Sequence, residues 1–215
     1  MMKYNKYIDH TLLRADASTK EIIKLCQEAK EYDFASVCVN PDYVKLCKNQ
    51  LKNTNVKVCT VIGFPLGSNT TSIKVKETTD AIANGAQEID MVVNISWLKE
   101  HKLKEVINEI KSIKKACKKH ILKVIVETSL LNQADKINAS KCVLSGGADF
   151  IKTSTGFSIG GATVEDIKLF KKYVKNNAKI KASGGIKTYP EMLAMIKAGA
   201  NRIGTSRGIS LMQGK

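Results

Sequence analysis

Lys152 lies in the middle of Phe150-Ile151-Lys152-Thr153-Ser154-Thr155-Gly156-Phe157, an apolar run that gives way to hydroxyls and a glycine. Gly146-Gly147-Ala148-Asp149 turns the chain just before it, so a short strand is expected over residues 149–154, ending in a polar loop. An ammonium in a strand covered on both faces is costly unless it is paired or neutralised. One reading of Lys152 is an internal salt bridge. The other is an amine kept neutral enough to attack a carbonyl. Two further residues favour the second reading: Lys181, within residues 179–183, and Asp90, within residues 88–93. A positive charge on Lys181 is expected to disfavour protonation of Lys152. The resulting neutral amine adds to an aldehyde and loses water to give an iminium, which draws electrons from a neighbouring carbon–carbon bond. Asp90 is placed to move the protons.

Such a trio needs strands that aim it at one point. Strands are expected at residues 7–11, 35–39, 57–62, 88–93, 122–128, 149–154, 179–183 and 202–205. Helices are expected between them, at 70–84, 133–145, 163–175 and 189–197 among others. Ser18-Thr19-Lys20-Glu21 is a capping box that opens the first helix, and a last short helix is expected from Ser206. Eight strands alternating with helices predict a single-domain α/β protein, a (β/α)8 TIM barrel spanning residues 1–215. Gly85-Ala86-Gln87, Gly147-Ala148-Asp149 and Gly199-Ala200-Asn201 recur between a helix and the next strand, where glycine ends helices. An open doubly wound sheet is the alternative, weakened because no G-x-G-x-x-G follows the first strand.

Alternate residues of a barrel strand face inward. With Ile89, Met91 and Val93 facing helices, Asp90, Val92 and Asn94 point in; the same parity turns Lys152, Ser154, Lys181, Ser183, Asp9, Thr11, Ser36, Cys38, Asn40 and Glu127 inward. Each unpaired charge in a purely structural core would cost several kcal/mol, so this interior reads as a site. Asp9 and Glu127 are expected to form supporting ion pairs, and Lys123 to lie at the far strand end as ordinary surface. Thr155 and Gly156, Gly184 and Gly185, and Gly204, Thr205 and Ser206 follow strands six, seven and eight, where this fold commonly binds phosphate, and with the inward Asp9, Thr11 and Cys38 they are the residues expected to bind substrate.

The 215 residues, 43% hydrophobic, suffice for one core and contain no apolar run long enough to span a bilayer. No secretory signal opens the chain, and six cysteines without a C-x-x-C pair point to reduced thiols and a cytoplasmic location. The three histidines form no ligand pair, so no metal or other cofactor is expected. The net charge of +15 is spread along helices. In residues 99–119, Leu103, Val106, Ile110, Ile113 and Cys117 make an apolar stripe with most lysines opposite. A solvated surface that attracts anionic substrates is expected, with neither nucleic acid nor membrane as partner.

These residues carry a resemblance. Ile8-Asp9-His10-Thr11-Leu12-Leu13, Ser36-Val37-Cys38-Val39-Asn40-Pro41, Gly63-Phe64-Pro65-Leu66-Gly67, the stretch from Glu88 to Asn94, that from Phe150 to Phe157, Lys181 to Ile186 and Arg202 to Ser206 resemble the 2-deoxyribose-5-phosphate aldolases nearly end to end. These are Schiff-base-forming class I aldolases on a (β/α)8 fold. The resemblance implies reversible cleavage of 2-deoxy-D-ribose 5-phosphate to acetaldehyde and D-glyceraldehyde 3-phosphate. It implies Lys152 as the Schiff-base lysine, Lys181 as the second lysine, Asp90 as the proton-transfer carboxylate, and a homodimer. Another phosphosugar Schiff-base aldolase or isomerase on the same barrel is the alternative, with a basic nucleic-acid-binding protein, in which the barrel lysines are incidental, a more distant one. Arg207 departs from the small residue expected in the phosphate loop, and the chain lacks the tyrosine-ended tail of some members.

Overall fold

Adjacent strands that each bury an apolar face against helices close on themselves when every crossover is helical. The computed structural model describes residues 2–215 and shows that outcome, a closed parallel barrel in the order β1 to β8 with β8 hydrogen-bonded to β1. The strands are β1 (Ile8–Leu12), β2 (Ser36–Val39), β3 (Lys57–Ile62), β4 (Glu88–Val92), β5 (Ile121–Ile125), β6 (Phe150–Lys152), β7 (Lys179–Ser183) and β8 (Arg202–Thr205). The α-helices are α1 (Thr19–Glu31), α2 (Val44–Gln50), α3 (Thr71–Ala83), α4 (Ile95–Lys99), α5 (Leu103–Cys117), α6 (Gln133–Ser145), α7 (Val164–Val174), α8 (Tyr189–Ala198) and α9 (Gly208–Met212).

Local chemistry sets the helix ends. Ser18 and Glu21 form the expected capping box on α1, and Asn132 with Asp135 and Thr188 with Glu191 do the same for α6 and α8. The recurrent glycines behave as their positions require: Gly85, Gly147 and Gly199 have φ of 111°, 75° and 122°, where a Cβ would be strained. Most boundaries fall within a residue or two of expectation, and four differences bear on the site. β5 stops at Ile125 because Glu127 adopts a left-handed φ of 56°. The strand that carries Lys152 is confined to Phe150–Lys152. An unforeseen helix, α4, follows β4, with the Asn94 side chain accepting from Trp97 N, so Asn94 caps a helix instead of facing the interior. α9 begins at Gly208, two residues beyond the expected Ser206.

The parity reading otherwise holds. Ile89, Met91, Val93, Ile151, Ile180 and Ala182 all belong to the large cluster between sheet and helices. Burying such side chains stabilises by about 1.5–3 kcal/mol each. Leu13, Cys38, Cys59 and Val61, with Phe64 against them, form a small second cluster among the strands β1 to β3. Phe150 is 3% exposed and has Lys123, Lys179 and Arg202 around its ring at 5.9, 5.8 and 5.7 Å from the centroid.

Candidate active site

Asp90 is the hub of the interior. Its Oδ2 accepts from Lys152 Nζ at 2.8 Å and Lys181 Nζ at 2.7 Å, and its Oδ1 accepts from Lys123 Nζ at 2.8 Å and Cys59 Sγ at 3.2 Å. The register explains the convergence: Asp90 lies beside Lys123 across β4 and β5, and Lys152 beside Lys181 across β6 and β7. Burial alone would raise the Asp90 carboxyl. The charges of Lys123, Lys152 and Lys181 outweigh it and hold the group well below the usual carboxylate range. Burial likewise opposes the charge on Lys181, but Asp9 and Asp90 hold it above an ordinary lysine. Lys181 is therefore a cation at neutral pH. One carboxylate oxygen, Asp90 Oδ2, sits between this cation and the Lys152 amine.

The expectation for Lys123 is overturned. It is 0% exposed, and its ammonium lies 2.5 Å from Glu88 Oε2 as well as on Asp90. β5 enters the barrel deep enough that its third residue is already inside. Asp9 does form the expected supporting pairs. Its Oδ1 accepts from Arg202 Nη1 at 2.5 Å and Ser36 Oγ at 2.6 Å, and Lys181 Nζ lies 2.6 Å from its Oδ2, off the hydrogen-bonding direction. Glu127 forms no ion pair among the described residues. Its Oε2 accepts from Thr155 N and Oγ1 at 3.1 and 2.5 Å, which ties the end of β5 to the loop after β6.

A cavity of about 450 Å3 opens above this network. Lys152, Thr11, Thr155, Gly156, Gly184, Gly185, Gly204, Thr205 and Ser206 line it, bringing together most of the residues expected to bind substrate. Asp9 and Cys38 are fully buried and are not part of its lining. The Thr155 and Thr205 hydroxyls are taken up within the protein: each accepts from a backbone N–H two residues on, Phe157 N and Arg207 N at 3.0 Å, and donates to a neighbouring segment, Glu127 Oε2 at 2.5 Å and Ile186 O at 3.2 Å. They shape the cup through the backbone. Gly156, Gly184 and Gly185 have φ of 86°, 82° and 79°. Among the described residues no acceptor is found for the N–H groups of Gly156, Gly185 and Ser206. Three free donors on one cavity suit an anion.

Arg207, noted in the phosphate loop, lines the cavity, and several residues of the site escaped the sequence reading: Arg14, Phe157 and Lys187 line the cavity as well. Glu88 and Arg202 join the ion network, with Arg202 Nη1 3.2 Å from Glu88 Oε2. The parity that turns Asp90 and Gly204 inward turns these two inward also, so their signal was present. Cys38, Cys59 and Asp90 bring donor atoms within 4.8 Å of one another, but the Asp90 oxygens are already taken by three ammonium groups. That trio therefore belongs to the ion network. All six cysteines are free and buried, and no helix among the described residues is long and apolar enough to cross a membrane.

Comparison with known proteins fits this geometry. Residues 4–214 match the DeoC/LacD family aldolase profile. The deoxyribose-phosphate aldolase of Malacoplasma penetrans is 58% identical over 212 residues, covering 99% of this chain and 96% of that protein. That of Bdellovibrio bacteriovorus is 56% identical over 213 residues, with 99% and 97% covered. Among solved structures, the deoxyribose phosphate aldolase from Aeropyrum pernix, described as tetrameric, superposes with a TM-score of 0.92 at 30% identity, covering 99% of this chain and 90% of that one. With a match over nearly its whole length and relatives above half identity, the chain belongs to the DeoC/LacD aldolase family.

Proposed function

We propose that this barrel cleaves 2-deoxy-D-ribose 5-phosphate reversibly to acetaldehyde and D-glyceraldehyde 3-phosphate through an imine on Lys152. One observation carries the reading: of the three ammonium groups on Asp90, only Lys152 lines the cavity, and it shares that cavity with the free N–H groups of Gly156, Gly185 and Ser206. Relatives named deoxyribose-phosphate aldolases, one at 58% identity, support the substrate.

The chemistry follows from the arrangement. The neutral Lys152 amine adds to C1 of the open-chain sugar, and loss of water gives the iminium. A base removes the proton of the 3-hydroxyl, the C2–C3 bond breaks, and its electrons pass to the iminium nitrogen. D-Glyceraldehyde 3-phosphate leaves and an enamine remains. A proton delivered to C2 regenerates the iminium, and water releases acetaldehyde. Asp90, ionised and shared with Lys181, is assigned the proton movements, directly or through a water. The phosphate is assigned to the glycine cup, where its binding energy positions the reacting carbons.

The test is reduction by borohydride in the presence of acetaldehyde, followed by mapping of the modified residue. Lys152 is expected to carry the two-carbon adduct. Modification of Lys181 alone would reverse the assignment of the two lysines. Activity is expected to survive exhaustive chelation; a loss restored by added zinc would remove the metal-free mechanism. Free cysteines and bacterial relatives support a cytoplasmic enzyme. Self-association, at least to a homodimer, is tested by light scattering of the full chain, where a monomer at assay concentration would count against it.

A further inference from the structure

Seven charged side chains meet inside the barrel, and six of them form a closed ring. Asp90 Oδ1 is bound to Lys123 at 2.8 Å, and Lys123 lies 2.5 Å from Glu88 Oε2. Glu88 Oε2 lies 3.2 Å from Arg202 Nη1, which also bonds Asp9 Oδ1 at 2.5 Å. Asp9 Oδ2 lies 2.6 Å from Lys181, which returns to Asp90 Oδ2 at 2.7 Å. Anion and cation alternate around the ring. Each ring cation touches at least two carboxylates and each ring carboxylate at least two ring cations, and Lys123 also reaches Asp9 Oδ2 across the ring at 4.0 Å. Lys152 stands outside it, with a single carboxylate contact at 2.8 Å.

Charge counting then singles out one group. The ring holds three carboxylates and three cations and is neutral by itself. A charged Lys152 adds a fourth cation with no anion to match, and an uncompensated buried charge is expensive. We propose that Glu88, Lys123 and Arg202 are positioning residues for imine formation: they complete a neutral ring around Asp90 and Asp9, so that Lys152 is the surplus cation and the amine that gives up its proton. Burial opposes the charges on Lys123 and Arg202, yet the carboxylates around each hold it above its ordinary value. The ring cations are thus committed to staying charged. The remaining groups do not upset the count. Cys59, on β3, is pushed up by burial, by its bond to Cys38 and by Asp90, and stays a thiol. Cys38, on β2, is a free thiol lowered by a hydrogen bond with Cys59 against its burial, and Glu127, beyond β5, is engaged by Thr155.

The inference rests on Lys152 being the imine-forming amine, and the test separates the two. The rate of acetaldehyde trapping at Lys152 by cyanoborohydride is measured against pH in the full chain, and the position of its rising limb is read. Position does not depend on the fraction of folded protein, whereas amplitude does. Glu88→Gln deletes an anion and leaves the surplus larger, so the limb is expected at lower pH. Lys123→Met deletes a cation, so that a charged Lys152 balances the ring, and the limb is expected at higher pH. A displacement of one pH unit changes trapping about tenfold at a fixed pH on the limb. Glu88→Asp should return the limb to its original place. If Lys123→Met does not fold, Arg202→Met removes a cation from the same arc and carries the same expectation. Limbs that stay put, or move together, overturn the proposal. Absence of trapping at Lys152 in the unaltered chain overturns the assignment of Lys152 instead.

Discussion

At Asp90 Oδ2 two ammonium groups meet one oxygen, Lys181 at 2.7 Å and Lys152 at 2.8 Å, yet only Lys152 lines the cavity. Lys152→Leu is therefore expected to abolish both trapping and turnover. Lys181→Leu should keep measurable trapping while turnover falls by about 10²-fold or more, because proton transfer loses its partner on Asp90. Equal loss of both in Lys181→Leu would make it a second nucleophile or a purely structural group. The same residues set the response to acid. Asp9 and Asp90 are held far below the unfolded carboxylate value of about 3.9. Because their folded values are depressed, their contribution to stability is present above about pH 4 and is lost as pH falls further towards the folded values. Asp90→Asn should flatten that acid dependence and cost about 3–5 kcal/mol in denaturant unfolding at neutral pH, since three ammonium groups lose their anion. An acid transition unchanged by the substitution would remove Asp90 from this role. Which residues face inward was legible from strand parity, and it found Asp9, Asp90, Lys152 and Lys181. The depth of each residue was not. It depends on the stagger between neighbouring strands, a pairing property absent from any single strand, and this is why Lys123 reads as surface and lies at the centre.

Loops at the strand ends convert this interior into a site. The loop after β6 and the loop after β7 touch backbone to backbone: Ala162 N donates to Ser183 O and Gly184 O, each at 3.1 Å. A Cβ on Gly161 would run into the carbonyl of Gly184, with nothing flexible there to give way. Gly161→Ala is thus expected to displace Gly184-Gly185 and weaken the cup while leaving Lys152 on its strand. KM for the phosphorylated sugar should rise about tenfold or more, a loss of at least about 1.4 kcal/mol of binding, with acetaldehyde trapping nearly unchanged. A parallel fall in trapping would show that the loop supports the amine and not the phosphate. Element boundaries were readable where side chains act locally. The capping boxes of α1, α6 and α8 and the helix-ending glycines follow from short-range hydrogen bonding and φ preference. The early end of β5 was not readable, because the left-handed Glu127 is held by bonds to Thr155, 28 residues on. A distant partner overrides the local preference for strand.

Across the whole molecule, the excess of positive charge has a direction. The chain carries a net +15, and the cavity mouth adds Arg14, Lys187 and Arg207. Arg14 is occupied by Asp16 and Glu21 at 2.8 and 2.9 Å, which leaves Lys187 and Arg207 to carry the free charge of the rim. A phosphate dianion approaching this mouth is attracted by the global field and then by these two side chains, whereas an unphosphorylated sugar feels neither. Salt screens such attraction over about 8–10 Å at 0.1–0.15 M. The expected outcome is a kcat/KM for 2-deoxyribose 5-phosphate that falls as ionic strength rises, beside one for 2-deoxyribose that is much lower and flat. Arg207→Ser should reduce the slope without erasing it, since Lys187 and the distributed surface charge remain. If the slope is unchanged in Arg207→Ser, the arginine is a bystander at the rim. If the two sugars show equal specificity constants at all ionic strengths, neither the glycine cup nor the surrounding charge recognises phosphate. The measurement must hold pH fixed, because both the phosphate and the interior ion network change charge with pH and would otherwise mimic screening.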